Sequence, residues 1–233
     1  MKELYNPFKD MKPLEYVILI ASTLAALISF ILIEEKDYLY FFTCILGVTT
    51  TVFIAKAHVF GQLLGIAYAI LYAVTTFISH YYGEFIISIA LYLPSGIWGL
   101  ISWLRHRYED TSTIKIAKLG LKHISIMLII ASILTFGIFF LLRALDTQNL
   151  IVSTISVFVS ISAGYLVIKR SPFYALIYLI NDVVLIVLWG MALRDSLTYM
   201  QLLISAFGFF FTDLYGFINW LNLRKKQTKE IQI

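Results

Sequence analysis

The sequence predicts an all-α membrane protein with about eight transmembrane helices, built from two parallel repeats. Three observations predict this fold class: the composition, a series of long apolar segments and an internal duplication. Of the 233 residues, 60% are hydrophobic and only 14% are charged, and the mean hydropathy is +0.86. Soluble domains carry about 25% charged residues. The chain therefore lacks the polar surface that a water-soluble fold needs.

Charge and cysteine content exclude several classes of function. The net charge of +4 does not indicate nucleic-acid binding, because the basic residues lie in loops between the apolar segments. The single cysteine, Cys44, lies in an apolar segment and is interpreted as a small buried hydrophobe. One cysteine cannot form an intrachain disulfide, and the sequence has no Cys/His spacing of the metal-binding kind. We expect neither a metal nor a cofactor.

The apolar segments account for eight membrane crossings, since each crossing helix needs roughly 20 mostly apolar residues. The boundary between the second and third segments is soft because only residues 56–59 separate them, and a misreading there would give seven spans. The eight candidate segments are 15–34, 38–55, 60–79, 84–104, 121–143, 149–168, 173–193 and 198–221.

The distribution of basic residues favours eight spans over seven. With eight spans, 15 of the 18 Lys and Arg residues lie on one side of the membrane. Only Lys36, Arg143 and Arg194 lie on the other side. Because short basic loops stay in the cytoplasm, we predict that both termini are cytoplasmic. A seven-span chain would have to export one basic terminus.

An internal duplication relates the two halves of the chain at an offset of 117 residues. It carries Gly99 onto Gly216 and Trp103 onto Trp220, each near the end of an apolar segment. Four spans per half give both halves the same orientation, which is a parallel repeat. The similarity is strongest in the third and fourth spans of each half, so the unit could be three helices preceded by an extra or linking helix. The polar stretch 109–113 is the natural boundary between the halves.

Two carboxylates lie within apolar segments, where the bilayer penalises charge. They are Asp182 and Asp213. On a helix, Asp182 shares a face with Tyr178, Leu185 and Trp189. One interpretation is that the two acids line a polar pathway and Asp182 binds the positive part of a solute. The alternative is that neighbouring groups satisfy each acid, or that each is protonated within the bundle.

The equivalent helix of the first half carries Gln62, Tyr68 and Tyr72, with Tyr72 in the frame of Trp189. Aromatic faces attract cations and stack on flat rings. We therefore predict a slot for a planar, positively charged heteroaromatic compound, although these rings could instead only fill the bundle. The candidate substrate-binding residues are Gln62, Tyr68, Tyr72, Tyr178, Asp182, Trp189 and Asp213.

Three further residues receive simpler interpretations. Trp103 and Trp220 lie beside basic residues, so we expect them to anchor the helices at the membrane interface. Glu84 opens the fourth span and is interpreted as a first-turn acid on the outer face of the membrane.

Several of these residues, taken in order, resemble the PnuC family of vitamin transporters. The resemblance covers about residues 40–105 and 145–224. The residues that carry it are the run Gly83 to Ser88 with Pro94, Gly99 and Trp103; Leu46-Gly47-Val48, Ala55-Lys56-Ala57, Gly65 and Tyr72; and Asp182, Leu188-Trp189 and Leu214 to Trp220.

The resemblance implies facilitated diffusion of a nucleoside-like vitamin precursor across the bacterial inner membrane. The usual substrate in the family is nicotinamide riboside, and members for thiamine and riboflavin exist. A cytoplasmic kinase phosphorylates the vitamin and so traps it. The implied fold is similar to the SWEET sugar transporters, with two three-helix bundles and a linking helix, and a homo-oligomer is left open. The implied divisions are 1–36 (tail and extra helix), 37–107 (first bundle), 108–145 (loop and linking helix), 146–224 (second bundle) and 225–233 (basic tail).

The seventh span departs from the pattern of the nicotinamide riboside members. The family resemblance leads us to expect Trp-x-x-Trp-x-x-x-Asn, but Ala175, Tyr178 and Asp182 occupy those places. A carboxylate could pair with the pyridinium of nicotinamide riboside or with the thiazolium of thiamine, whereas uncharged riboflavin would gain nothing from it.

Two hypotheses from other classes are weighed against a passive carrier. One is a proton-coupled transporter that uses the two aspartates as a relay. The other is an intramembrane enzyme, which would need a nucleophile and base at depth. The second is disfavoured because the four histidines all fall at or beyond the ends of the spans. We therefore predict a transporter and not an enzyme.

Overall fold

A computed structural model of the chain describes residues 7–8, 11–34, 36–108, 113–147 and 149–230. Within these ranges eight helical segments are long and apolar enough to cross a membrane, which confirms the predicted count. The secondary structure there is helical apart from isolated bridges. The helices are α1 Pro13–Leu32, α2 Tyr38–Ala55, α3 Phe60–Ile78, α4 Tyr82–Ile87, α5 Leu93–Arg105, α6 Leu121–Ala144, α7 Leu150–Ile168, α8 Phe173–Ala192 and α9 Met200–Glu230.

The fourth span is continuous from Tyr82 to Arg105 but changes its winding. A π-helical segment, Ser88–Tyr92, separates α4 from α5. It ends two residues before Pro94, whose ring cannot fit an undisturbed helical turn. The hydroxyl of Ser88 donates to the carbonyl oxygen of Ala69 at 2.7 Å and ties this segment to α3. The extra residue per turn changes the direction of the side chains that follow.

Six spans form the centre of the bundle and two lie at its edge. The central helices include α2, which packs on α3 and α9, and α8, which packs on α7 and α9. Helix α1 lies against α2 and α9, and α6 lies against α7. Both edge helices bury few residues, so their apolar side chains face the bilayer. The division of the six central spans into two repeated bundles remains a prediction.

Trp103 and Trp220 join the two halves, and the expectation that they anchor the membrane interface is wrong. Both side chains are 0% exposed, and their rings lie 5.6 Å apart. The indole of Trp103 donates to the carbonyl oxygen of Val167 at 3.2 Å, and that of Trp220 donates to Ile54 at 3.0 Å. These carbonyls lie in the last turns of α7 and α2, and they also accept the backbone amides of Arg170 and Ala57, respectively. The contacts are reciprocal: each tryptophan caps a helix of the other half.

An extended segment, residues 113–120, closes the end of the bundle where α2 and α7 finish. The backbone amide of Ile114 donates to Ala57, and that of Ala117 donates to Arg170. Ala57 and Arg170 follow α2 and α7, respectively, and both have positive φ. The segment therefore bridges two corresponding turns. Most of the predicted boundary stretch 109–113 lies outside the described residues.

Helix α9 continues beyond the predicted end of the last span, at about residue 221, and reaches Glu230. Its extension includes Gln227, which is buried although its neighbours are basic. The Gln227 amide donates to the carbonyl oxygen of Ile114 and accepts from the amide of Ile116, both at 2.9 Å. Part of the predicted basic tail is thus helix docked on the extended segment, while residues 231–233 lie outside the described part of the chain.

Candidate substrate site

The central helices line a cavity of about 100 Å³. Like most small-molecule sites, it is largely apolar with a few polar groups. Side chains from α2, α3, the fourth span, α7, α8 and α9 line the cavity. Six of the seven predicted residues are among them: Gln62, Tyr68, Tyr72, Tyr178, Asp182 and Asp213.

Trp189, the seventh, does not line the cavity. It lies one helical turn beyond Leu185, which borders the cavity, and it packs behind the side chains that line the cavity. Its ring meets Tyr72 at 6.4 Å and an interplanar angle of 80°, and lies 4.8 Å from Tyr81. Trp189 shares the face of α8 that the spacing predicts, but the cavity ends before reaching it.

A wall of tyrosines forms one side of the cavity. Tyr68 and Tyr72 are stacked with centroids 5.3 Å apart and an interplanar angle of 19°. Tyr92 lies 6.5 Å from Tyr72 and also borders the cavity. Stacked and tilted rings of this kind present flat, electron-rich faces to a ligand.

Asp182 and Asp213 face each other across α8 and α9. They are 2% and 4% exposed, and both border the cavity with their carboxyl groups close enough to interact. Two carboxylates so close together repel strongly, so the pair carries at most one negative charge. It is the acidic group in an otherwise neutral, aromatic cavity.

Three polar atoms at the cavity lack a hydrogen-bond partner among the described residues. They are Gln62 Nε2, the hydroxyl of Tyr174 and Asp182 Oδ2. Buried polar atoms are nearly always paired, and each one left unpaired costs about 1–3 kcal/mol. Three such atoms allow the cavity lining to pair with a polar ligand or with water.

The Gln62 side chain is held by a close approach of α3 and α5. A Cβ atom at Gly99 would lie 2.5 Å from Gln62 Oε1, so only glycine leaves room for the amide. In the sequence, Gly99 stands out only as a repeated residue and as part of the family resemblance. Its position explains why glycine stands there.

Two tyrosines and an asparagine are among the cavity residues that sequence reasoning missed. Tyr174 lies one turn before Tyr178 on the face already identified, so the same spacing could have found it. Asn181 borders the cavity, and its amide oxygen accepts from Ser156 at 3.1 Å. Tyr92 reaches the cavity through the π-helical segment, which no α-helical spacing anticipates.

Comparison with known proteins identifies the family. Residues 37–222 match a family described as nicotinamide mononucleotide transporter. The chain belongs to this family. The match begins just before α2, so α1 lies outside it. The nicotinamide mononucleotide transporter family consists of transporters, which confirms that the chain is a multi-pass membrane transporter and not an enzyme.

Two individual proteins agree with the family match. A curated relative from Neisseria mucosa, the nicotinamide riboside transporter PnuC, is 24% identical over 188 residues, which is 78% of this chain and 71% of the relative. The crystal structure of the vitamin B3 transporter PnuC superimposes with a TM-score of 0.83 and 23% identity, covering 94% of this chain and 95% of that one. The resemblance to PnuC is thereby confirmed, and the solved structure has the same all-α fold.

Proposed function

We propose that the chain carries a nucleoside-like vitamin precursor, nicotinamide riboside in the first instance, through the central cavity. The observation that supports this most strongly is the combination of an acid pair with stacked tyrosines in one enclosed space. Nicotinamide riboside combines a flat cationic ring with a polar sugar. The family description and the Neisseria relative, which name nicotinamide compounds, support the same substrate class.

The proposed binding mode matches each part of the ligand to a group in the cavity. The pyridinium ring stacks on Tyr68 and Tyr72, and its charge is balanced by Asp182 and Asp213. The ribose hydroxyls and the carboxamide satisfy unpaired atoms such as Gln62 Nε2. Ligand binding thus supplies hydrogen bonds that the empty cavity leaves unmade.

Thiamine is the alternative substrate. The residues at which α8 differs from the pattern of the nicotinamide riboside members favour a cation but do not specify which one. Tyr178 and Asp182 border the cavity, whereas Ala175 is fully buried and does not. Only two of the three positions that differ from the family pattern would therefore touch a ligand. A carboxylate at position 182 is equally suited to a thiazolium and to a pyridinium, and it offers riboflavin nothing.

We further propose passive transport by the rocking of two parallel bundles, in the bacterial inner membrane with both termini in the cytoplasm. A passive carrier only equalises concentrations, so net uptake depends on a cytoplasmic kinase that phosphorylates the vitamin. A homo-oligomer is compatible with this proposal. Proton coupling is the second candidate function, and the burial of two acids, Asp182 and Asp213, at one cavity favours it. Accumulation of unmodified vitamin driven by an imposed pH gradient would decide for coupling.

A ligand panel tests the substrate. The purified protein is heated with nicotinamide riboside, thiamine or riboflavin at matched concentrations. A ligand that binds only the folded protein at 100 times its Kd stabilises it by about 2.7 kcal/mol. We expect nicotinamide riboside to raise the unfolding temperature most and riboflavin least. Stabilisation by thiamine alone would transfer the proposal to thiamine, and stabilisation by riboflavin alone would contradict the role of the acid pair.

A further inference from the structure

Glu84 is a buried carboxylate that lies beside the cavity without lining it. It occupies the first turn of α4, as the sequence suggests, but it is 0% exposed and does not face the water outside the membrane. The close approach of α4 to α7 turns it inward. A Cβ atom at Gly83 would lie 2.7 Å from the Cβ atom of Ser153, so glycine is what permits this contact.

The hydroxyl of Tyr72 donates to Glu84 Oε2 at 3.1 Å. This hydrogen bond is fully buried, and the ring of the same tyrosine forms the wall of the cavity. A buried hydrogen bond fixes the orientation of both partners. The bond therefore restrains a ring that would otherwise be held only by apolar neighbours.

The restraint determines how Tyr72 is presented to a ligand. Tyr72 is the ring that stacks on Tyr68, and it also meets Trp189 and Tyr92. A small rotation of this ring would change the flat surface formed by Tyr68 and Tyr72. Ser156 also lies beside Glu84, and its hydroxyl donates to Asn181.

We propose that Glu84 is a positioning residue: by accepting a hydrogen bond from Tyr72 it holds the tyrosine wall in the orientation on which a flat cationic ligand stacks. This inference rests on the proposed function for the identity of the ligand, but not for the orientation of Tyr72. Glu84 does not touch the ligand. It acts through Tyr72 alone, and its effect requires a hydrogen-bond acceptor at position 84.

The chain contains a matched control for this interaction. Tyr215 in α9 donates to Glu15 Oε1 in α1 at 2.6 Å, again between a tyrosine and a buried glutamate. Neither residue borders the cavity. Tyr215→Phe thus removes the same type of hydrogen bond at a place where only stability should respond.

The test compares the Kd for nicotinamide riboside, measured by calorimetry, in Tyr72→Phe, Glu84→Leu, the double variant, Glu84→Gln and Tyr215→Phe. We expect Tyr72→Phe and Glu84→Leu each to weaken binding about tenfold, the loss expected when a buried hydrogen bond is left unmade. The double variant should bind no more weakly than the weaker single variant. Glu84→Gln, which keeps an acceptor, should recover most of the affinity that Glu84→Leu loses, and Tyr215→Phe should leave the Kd unchanged.

Additive losses in the double variant would overturn the proposal, as would a glutamine variant as weak as the leucine variant. A ligand-free measurement separates this inference from the proposed function. With 3-fluorotyrosine at position 72, the ¹⁹F resonance should shift in Glu84→Leu and return towards the original position in Glu84→Gln. An unshifted resonance in Glu84→Leu contradicts the inference even if the ligand binds. If Glu84→Leu does not fold, the Kd values of Tyr72→Phe and Glu84→Gln are compared instead. Tyr72→Phe should bind about tenfold more weakly than the original chain, and Glu84→Gln should keep most of the affinity.

Discussion

Replacing both Asp182 and Asp213 with asparagine is expected to weaken the binding of nicotinamide riboside about 100-fold. A cation about 4 Å from a single negative charge gains up to about 4 kcal/mol at an effective dielectric constant of 20, part of which desolvation offsets. The double variant removes that charge and keeps the shape of both side chains. Calorimetric titration of the purified variant gives the ratio directly.

The single variants should lose less than the double variant. The carboxyl group that remains in each no longer faces a second carboxylate, so it can still supply one negative charge beside a bound cation. Glu34→Gln is the matched control, because it removes an acidic charge from an exposed position near the end of α1. Full affinity in the double aspartate variant would show that the acid pair is structural and does not bind the cation.

Trp220→Ala is expected to lower the free energy of unfolding by about 3–5 kcal/mol, the cost of deleting a fully buried tryptophan. The change leaves a cavity beside Trp103 and Tyr174, whose rings lie 5.6 Å and 4.5 Å from that of Trp220. It also removes the hydrogen bond to the end of α2. Denaturant unfolding in detergent micelles measures the loss.

Trp98→Ala provides the control for this prediction. Trp98 lies on α5, in the same helix as Trp103, but it is 63% exposed to the bilayer. Its removal should cost less than about 1 kcal/mol, because most of its surface is not packed against protein. Equal effects of Trp98→Ala and Trp220→Ala would mean that Trp220 does not hold the two halves together.

The fold was predictable because it depends on large-scale features of the sequence, namely the lengths of the apolar segments and the placement of the basic residues. Eight apolar segments of the right length, with basic residues on alternate loops, are sufficient to count the helices. The cavity residues on α3 and α8 were also predictable, because a carboxylate such as Asp182 within an apolar segment marks the inward face. Helical spacing then brings Tyr178 onto the same face.

The remaining features depend on packing, which hydropathy cannot resolve in a membrane protein. Lipid-facing and protein-facing positions are both apolar, so Trp98 and Trp103 look alike in the sequence. The burial of Glu84 depends on the contact between Gly83 and α7. Tyr92 reaches the cavity only because the fourth span contains a π-helical segment.

Counterflow in proteoliposomes is the most direct test of the central claim. Vesicles containing the purified protein and unlabelled nicotinamide riboside are diluted into labelled nicotinamide riboside, with no pH or ion gradient. We predict a transient accumulation of label that persists in the presence of protonophores and disappears in the variant with both Asp182 and Asp213 replaced by asparagine. No exchange of label, or exchange that occurs only with an imposed pH gradient, would contradict passive carriage of this vitamin.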